Sequence, residues 1–241
     1  MEIIVAKNYR EMSIIAADLA LRQLARKKSS VLGLATGNTP IGFYRELVKA
    51  NHRGDVSFRN VKTFNLDEFA GLDDTDRGSL FYYMRKHLFD KADLQPKNIN
   101  MIDGRAKNLK AECHRFDQAI KKAGGIDWQL LGIGGNGHIG WNEPGTSFKS
   151  RTHLLDLTIK SRRAQAENFK SIKEVPKQGL TMGIGTIMEA KQIVLLADGQ
   201  EKARIVREAL RGRIRQRVPA TALQRHANLT VVLDEAAASL L

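Results

Sequence analysis

Val31-Leu32-Gly33-Leu34-Ala35-Thr36-Gly37-Asn38-Thr39-Pro40 (31–40) runs from an apolar β-type segment through a Gly/Thr turn into a proline. Proline suits the first turn of a helix, where its missing N–H would have no partner anyway. The ten residues therefore read as strand, loop and helix start. The same unit recurs on either side. Upstream, a strand at Ile3–Ala6 leads to Asn8, which can cap a helix with Glu11 three residues on; Met12, Ile15, Leu19 and Leu24 then follow at near-helical spacing. Downstream, Val61–Asn65, Leu130–Ile133, Ile193–Leu196 and Leu229–Asp234 are strand candidates. Helical patterns at about Leu80–Phe89, Asn108–Ala123, Thr181–Ala190 and Lys202–Leu210 separate them. Such alternation predicts an α/β fold, a mostly parallel open sheet with helices on both faces. No repeat, linker or low-complexity tract divides residues 1–241, so one catalytic domain is expected.

Composition narrows the function. With 42% hydrophobic and 27% charged residues the 241-residue chain is that of a globular protein. No apolar run approaches the ~20 residues of a membrane span, and the N-terminal apolar run is too short for a signal peptide. A lone cysteine, Cys113, allows no internal disulfide and points to a reducing compartment, so the cytoplasm is expected. The formal charge of +13 is concentrated between Lys160 and Arg225, with 15 Lys and Arg against 6 Asp and Glu. That excess could draw nucleic acid, but only 6% of residues are aromatic and no zinc-finger spacing or stacking motif is present. The expectation is no nucleic acid, no membrane, and a solvated basic surface with a few residues serving an anionic small molecule.

Unusual residues fall where strands end: Ala35-Thr36-Gly37-Asn38-Thr39, Leu66-Asp67-Glu68, Gly134-Gly135-Asn136-Gly137-His138, and Asp198-Gly199-Gln200-Glu201-Lys202. In parallel sheets ligands bind beyond the carboxyl ends of the strands, so these clusters should meet on one rim. The turn at Thr36, Gly37, Asn38 and Thr39 is either an anion cradle of helix-start amides and hydroxyls or an ordinary capped helix start. It is neither a Walker A loop nor G-x-G-x-x-G. Of Asp67 and Glu68, at least one is expected in a rim loop, as a general base or as a helix cap. Residues 132–140 hold five glycines around His138, a density that leaves no bulk for core packing. Histidine titrates near neutrality and suits proton shuttling, and Glu143, five residues on, lies close enough to hydrogen-bond the imidazole. There is no HExxH, no CxxC and no G-x-S-x-G, so neither a metal site nor a serine-hydrolase elbow is expected and Cys113 reads as inert packing.

Together the strings LGLATGNTP (32–40), FNLDEFAGL (64–72), LLGIGGNGHIGWNEPGTSFKSRTH (130–153), VPKQGLTMGIGTIMEAKQIVLL (175–196) and LTVVLDEAAASLL (229–241) closely resemble the glucosamine-6-phosphate deaminase family. The resemblance covers essentially the whole chain. It implies a Rossmann-like fold of the sugar-phosphate isomerase/deaminase type. The implied reaction converts glucosamine 6-phosphate and water to fructose 6-phosphate and ammonia in amino-sugar metabolism, without cofactor or metal. On this resemblance His138 opens the pyranose ring, Asp67 moves a proton from C2 towards C1 through an enediol-like species, and Glu143 orients His138. Asn136 occupies a position that is Asp or Asn in the family and acts as an orienter. The Gly37–Thr39 loop and Lys202 match the family's phosphate positions. The arginine that normally completes that clamp is Glu167 here, which would repel a phosphate. Arg162 and Arg163, one turn earlier, are the candidates to replace it. A regulatory site of the family's larger members is not expected, because Thr146, His153 and Leu155 stand where those have Ser, Arg and Lys. A monomer or small homo-oligomer follows. The alternatives within the same fold are a sugar-phosphate lactonase, an isomerase of altered substrate, or a non-catalytic sugar-phosphate sensor.

Overall fold

The computed structural model describes residues 1–166 and 169–241. Among them the apolar runs assemble into a seven-stranded sheet. Its order is β1 (Glu2–Ala6), β10 (Leu229–Asp234), β9 (Ile193–Ala197), β6 (Trp128–Gly132), β2 (Val31–Leu34), β3 (Lys62–Asn65) and β5 (Ile99–Asn100). Every neighbouring pair is parallel. β2, β9 and β10 are buried along their whole length, which is why they read as continuous apolar runs instead of alternating ones. Between them the chain crosses over through helices that include α1 (Tyr9–Arg26), α2 (Ile41–His52), α4 (Leu109–Lys122) and α7 (Ala203–Arg211).

Local chemistry sets the helix ends. The Asn8 side chain accepts from Glu11 N at 3.0 Å, the cap that the sequence predicts, while the Glu11 carboxylate accepts Lys7 N at 2.6 Å, one residue before the cap. α2 begins after Pro40 without a side-chain cap. Under it Phe43 stacks on Trp128 with ring centroids 5.6 Å apart, and both rings are fully buried. Cys113 is buried on α4, where desolvation raises its thiol to about 11, so it stays protonated and unreactive at neutral pH.

Two expectations are corrected. The helix expected at Thr181–Ala190 is only α6 (Ile184–Met188); its first residue instead ends a strand, β8 (Gln178–Thr181). β8 lies between β4 (Asp67–Phe69) and β7 (His153–Asp156) in a second, antiparallel sheet. Gly179 belongs there because a Cβ on it would stand 2.3 Å from the Trp141 ring. For the same reason Asp67 and Glu68 are not in a rim loop. Both are buried in β4, and the two-residue period of a strand sends their side chains to opposite faces.

Candidate active site

Parallel strands share one direction, so the loops after β2, β3, β6 and β9 emerge at one edge of the sheet. A cleft of about 410 Å³ opens there, lined by residues from all of the expected clusters, among them Thr36, Asn38, Asp67, Asn136, His138 and Lys202. Gly132 at the end of β6 and Leu66 just after β3 line it, and the small sheet contributes Asp67.

Asp67 is 6% exposed. One carboxylate oxygen, Oδ1, accepts the Thr181 hydroxyl in a short hydrogen bond and the Trp141 amide at 3.1 Å. Burial pushes the carboxyl up to about 7, although both donors favour the ionised form and pull the other way. A carboxyl poised there exchanges protons near neutral pH. Glu68, on the opposite face, does a different job. Its carboxylate accepts the amides of Phe69, Leu80 and Phe81 at 2.8, 3.0 and 2.9 Å, which caps α3 (Leu80–Met84). Of the two readings of the carboxylate pair, the helix cap falls to Glu68.

The glycine-rich loop after β6 presents His138. A Cβ on Gly134 would sit 2.2 Å from ring atoms of His138, so the imidazole lies directly over bare backbone. Gly137 and Gly140 take φ of +85° and +56°, a region open to glycine at little cost. At Gly140 a side chain would also meet the Thr181 hydroxyl at 2.8 Å and the Asp67 carboxylate at 3.2 Å. Glu143 Oε1 stands 3.7 Å from His138 Nδ1, an ion-pair separation and not the hydrogen bond expected from their spacing. The carboxylate is instead fixed by Asn136 Nδ2 and by the Ser161 hydroxyl of α5 (Ile159–Gln165), both at 2.6 Å. Asn136 also accepts the His138 amide at 3.2 Å, so it orients both partners.

Around the cradle, Gly37 takes φ of +103°, and Tyr83 donates its hydroxyl to the Gly37 carbonyl at 2.6 Å. Thr39 donates to Asp198 at 2.5 Å, tying the loop after β2 to the loop after β9. Lys202 borders the cleft just before α7, and no ion pair engages it among the described residues. Glu167 lies outside the described residues. Arg162 is not available as its replacement: its guanidinium holds the carbonyls of Ile172 and Val175 at 2.7 and 2.8 Å. Neither Arg162 nor Arg163 is among the described residues that line the cleft. Among the described residues, no group of three or more His, Cys, Asp or Glu is placed to hold a metal ion.

Thr181 and Ser161, which hold the Asp67 and Glu143 carboxylates, were not foreseen from the sequence. Thr181 lies 114 residues from Asp67, and neither hydroxyl stands in a motif that marks it. The signal would have been recognition of β8 as a strand, which puts Thr181 in register with Asp67.

Residues 9–232 match the family model described as glucosamine-6-phosphate isomerases/6-phosphogluconolactonase. A protein of Bacillus velezensis named glucosamine-6-phosphate deaminase is 49% identical over 238 residues, covering 99% of both chains. The Bacillus subtilis glucosamine-6-phosphate deaminase 1 is 47% identical over 240 residues, covering 100% of this chain and 99% of its own. A solved structure described as a monomeric glucosamine-6-phosphate deaminase superposes with a TM-score of 0.97 at 47% identity, each chain fully covered. A 6-phosphogluconolactonase from Trypanosoma cruzi shares the fold at a TM-score of 0.78, with 20% identity and coverage of 100% and 96%.

Proposed function

The chain belongs to the family of glucosamine-6-phosphate isomerases and 6-phosphogluconolactonases, and from that membership we propose that it is a glucosamine-6-phosphate deaminase. The observation that carries the reading is the meeting of Asp67 and His138 on one cleft, with the Asp67 carboxyl raised by burial to about 7. An aldose-to-ketose isomerisation needs a base that takes a proton from C2 and returns it to C1. A group with a pKa near the working pH performs both halves.

His138 passes a proton between the ring oxygen and the C1 hydroxyl, which opens the pyranose. Asp67 then removes the C2 proton of the open-chain amino aldose. The electron pair moves through the C1–C2 bond to the carbonyl oxygen, which takes a proton from water that the amino group gives back when the imine forms, giving an enolamine. Return of the proton to C1 leaves an imine at C2. Water adds to that imine, ammonia leaves, and the ketose phosphate remains. Glu143 faces the imidazole, its carboxylate held by Asn136 and Ser161, and orients His138 while the ring opens. Thr36, Gly37, Asn38, Thr39 and Lys202 receive the phosphate: backbone amides and one ammonium are the donors that a dianion requires.

Residues 1–241 act as one catalytic unit, working as a monomer in the cytoplasm. The monomeric description of the 47%-identical solved relative supports the first part, and the single cysteine supports the second. No helix among the described residues is long and apolar enough to cross a membrane. A coupled ammonia assay tests the function. Glucosamine 6-phosphate should release ammonia, and glucosamine at the same concentration should release far less. Background rates with both sugars would reject the reading.

A further inference from the structure

The catalytic cleft does not end at the phosphate candidates. Past Gly37, Asn38, Thr39 and Lys202 it continues into an outer hollow of about 620 Å³, whose far wall carries Arg77 and Lys86 beside His87. An anion seated on the four shared residues would thus have the reacting groups on one side and this wall on the other.

Charge pairing near the wall is selective. Asp73 and Asp76 pair with Arg105, while Asp74 and Asp90 pair with Arg85. The acids of the stretch that carries Arg77 and Lys86 are therefore taken by other arginines. Arg77 and Lys86 are exposed, border the hollow, and form no ion pair among the described residues. Two carboxylates also border the hollow. Asp198 accepts the Thr39 hydroxyl, and the Glu201 carboxylate lies over Gly199, where an added Cβ would come within 2.5 Å of it. The wall is also fastened to the cradle: Tyr83, between the two cations in sequence, donates to the Gly37 carbonyl and packs on His87 with centroids 4.5 Å apart. α5 offers no guanidinium from Arg162, which is bound to backbone carbonyls.

We propose that Arg77 and Lys86 close the phosphate site from its outer side, sharing the dianion with Lys202 and the Gly37–Thr39 loop. The proposal rests on the sugar-phosphate substrate argued above and names where its charge is met. Arg77 supplies a planar fork suited to two phosphate oxygens, and Lys86 a point charge on a flexible stem. Both side chains reach in from solvent, so they act on binding and leave the proton transfers to Asp67 and His138.

The test combines kinetics with binding. In the double variant Arg77→Ala/Lys86→Ala, KM for glucosamine 6-phosphate should rise about tenfold, as expected for loss of charge-assisted hydrogen bonds, and kcat should change far less. The competitive inhibition constant of inorganic phosphate should rise by a similar factor. Arg77→Lys should fall between wild type and Arg77→Ala, because it keeps the charge and loses the fork. Circular dichroism should show an unchanged fold, since both side chains are exposed. An active wild type whose double variant keeps its KM and its phosphate inhibition constant would overturn the proposal. Should the wild type release no ammonia, the substrate reading fails, and a calorimetric titration with inorganic phosphate decides the cation wall alone. Weaker phosphate binding in the double variant then supports it. Equal binding, or no phosphate binding by the wild type, overturns it.

Discussion

Asp67→Asn separates catalysis from stability at one atom. The substitution keeps a side chain of the same shape, and its Oδ1 can still accept from Thr181 and Trp141. What disappears is a charge that the fold holds in a buried place. The carboxyl titrates near 3.8 when unfolded and at about 7 in the native protein. Between those values the native state binds a proton that the unfolded chain has lost, so wild-type stability falls as pH rises from about 4 to about 7 and is then level. At about 1.4 kcal/mol per pH unit the full interval amounts to about 4 kcal/mol. The asparagine variant escapes that loss. For a chain of this size each kcal/mol moves Tm by about 2–4 °C, and burying the new amide group takes back part of the gain, so a rise of about 5–10 °C at pH 8.5 is expected. At pH 4, where the wild-type carboxyl is protonated, the gain should be absent and the variant should melt no higher than wild type. Ammonia release by the variant should meanwhile drop by ~10²–10⁴, the contribution of a positioned general base. Differential scanning calorimetry at the two pH values, beside the ammonia assay, checks both halves. Equal Tm differences at pH 4 and pH 8.5 would refute the buried-charge reasoning, and an unchanged rate would refute the role of the base.

Thr181→Val removes the hydroxyl that stabilises ionised Asp67 and leaves the Trp141 amide in place. Loss of a hydrogen bond to a charge, about 1.5–3 kcal/mol, corresponds to about 1–2 pH units. The acid limb of kcat/KM, expected near 7 because the base must be ionised, should move up by that amount; a limb that stays in place would show that the bond does not tune the base. Gly134→Ala puts a methyl group where the His138 ring lies, so the imidazole must shift. A displacement on the scale of 1 Å should lower kcat by about 10²-fold, and a kcat within twofold of wild type would disprove the close packing.

The middle of the large sheet was open to reading because β2, β9 and β10 are buried along their whole length, and uninterrupted apolar runs such as Ile193–Leu196 have few other uses in a chain of this composition, whereas the two-residue edge strand β5 left no such signal. The rim followed from topology: once the strands are parallel, Thr36, Asp67, His138 and Lys202 must converge. The small sheet was not legible. β4 has three residues and β8 four, too few to show a period, and β4 is composed of two acids and a phenylalanine. Its pairing is long-range, so nothing local announces it. The same blindness hid Thr181, and it left Asp67 and Glu68 with one shared description when a strand gives them opposite faces. Short spacing misled in the other direction at Glu143. Five residues from His138 promised a hydrogen bond, yet the carboxylate is spent on Asn136 and on Ser161 from a different helix.

Asp67 therefore sits in the small sheet and His138 in the loop that leaves the large one, and their alignment depends on what joins the two. Trp141 makes that joint with both halves of the residue. Its amide bonds Asp67 and Thr181, while its ring packs against Gly179 of β8 and against Phe69 of β4, with centroids 4.8 Å apart in the second contact. Gly140, immediately before it, can hold φ of +56° because no side chain competes there with the Thr181 hydroxyl. The loop that carries His138 is thus anchored to the small sheet three residues beyond the histidine. Movement of either sheet would act on the same hydrogen bonds that keep the Asp67 carboxylate in place. Positioning the Asp67 carboxylate and aiming the His138 imidazole thus converge on one contact, which is why the segment 132–141 carries glycines on both sides of His138 and ends in an indole.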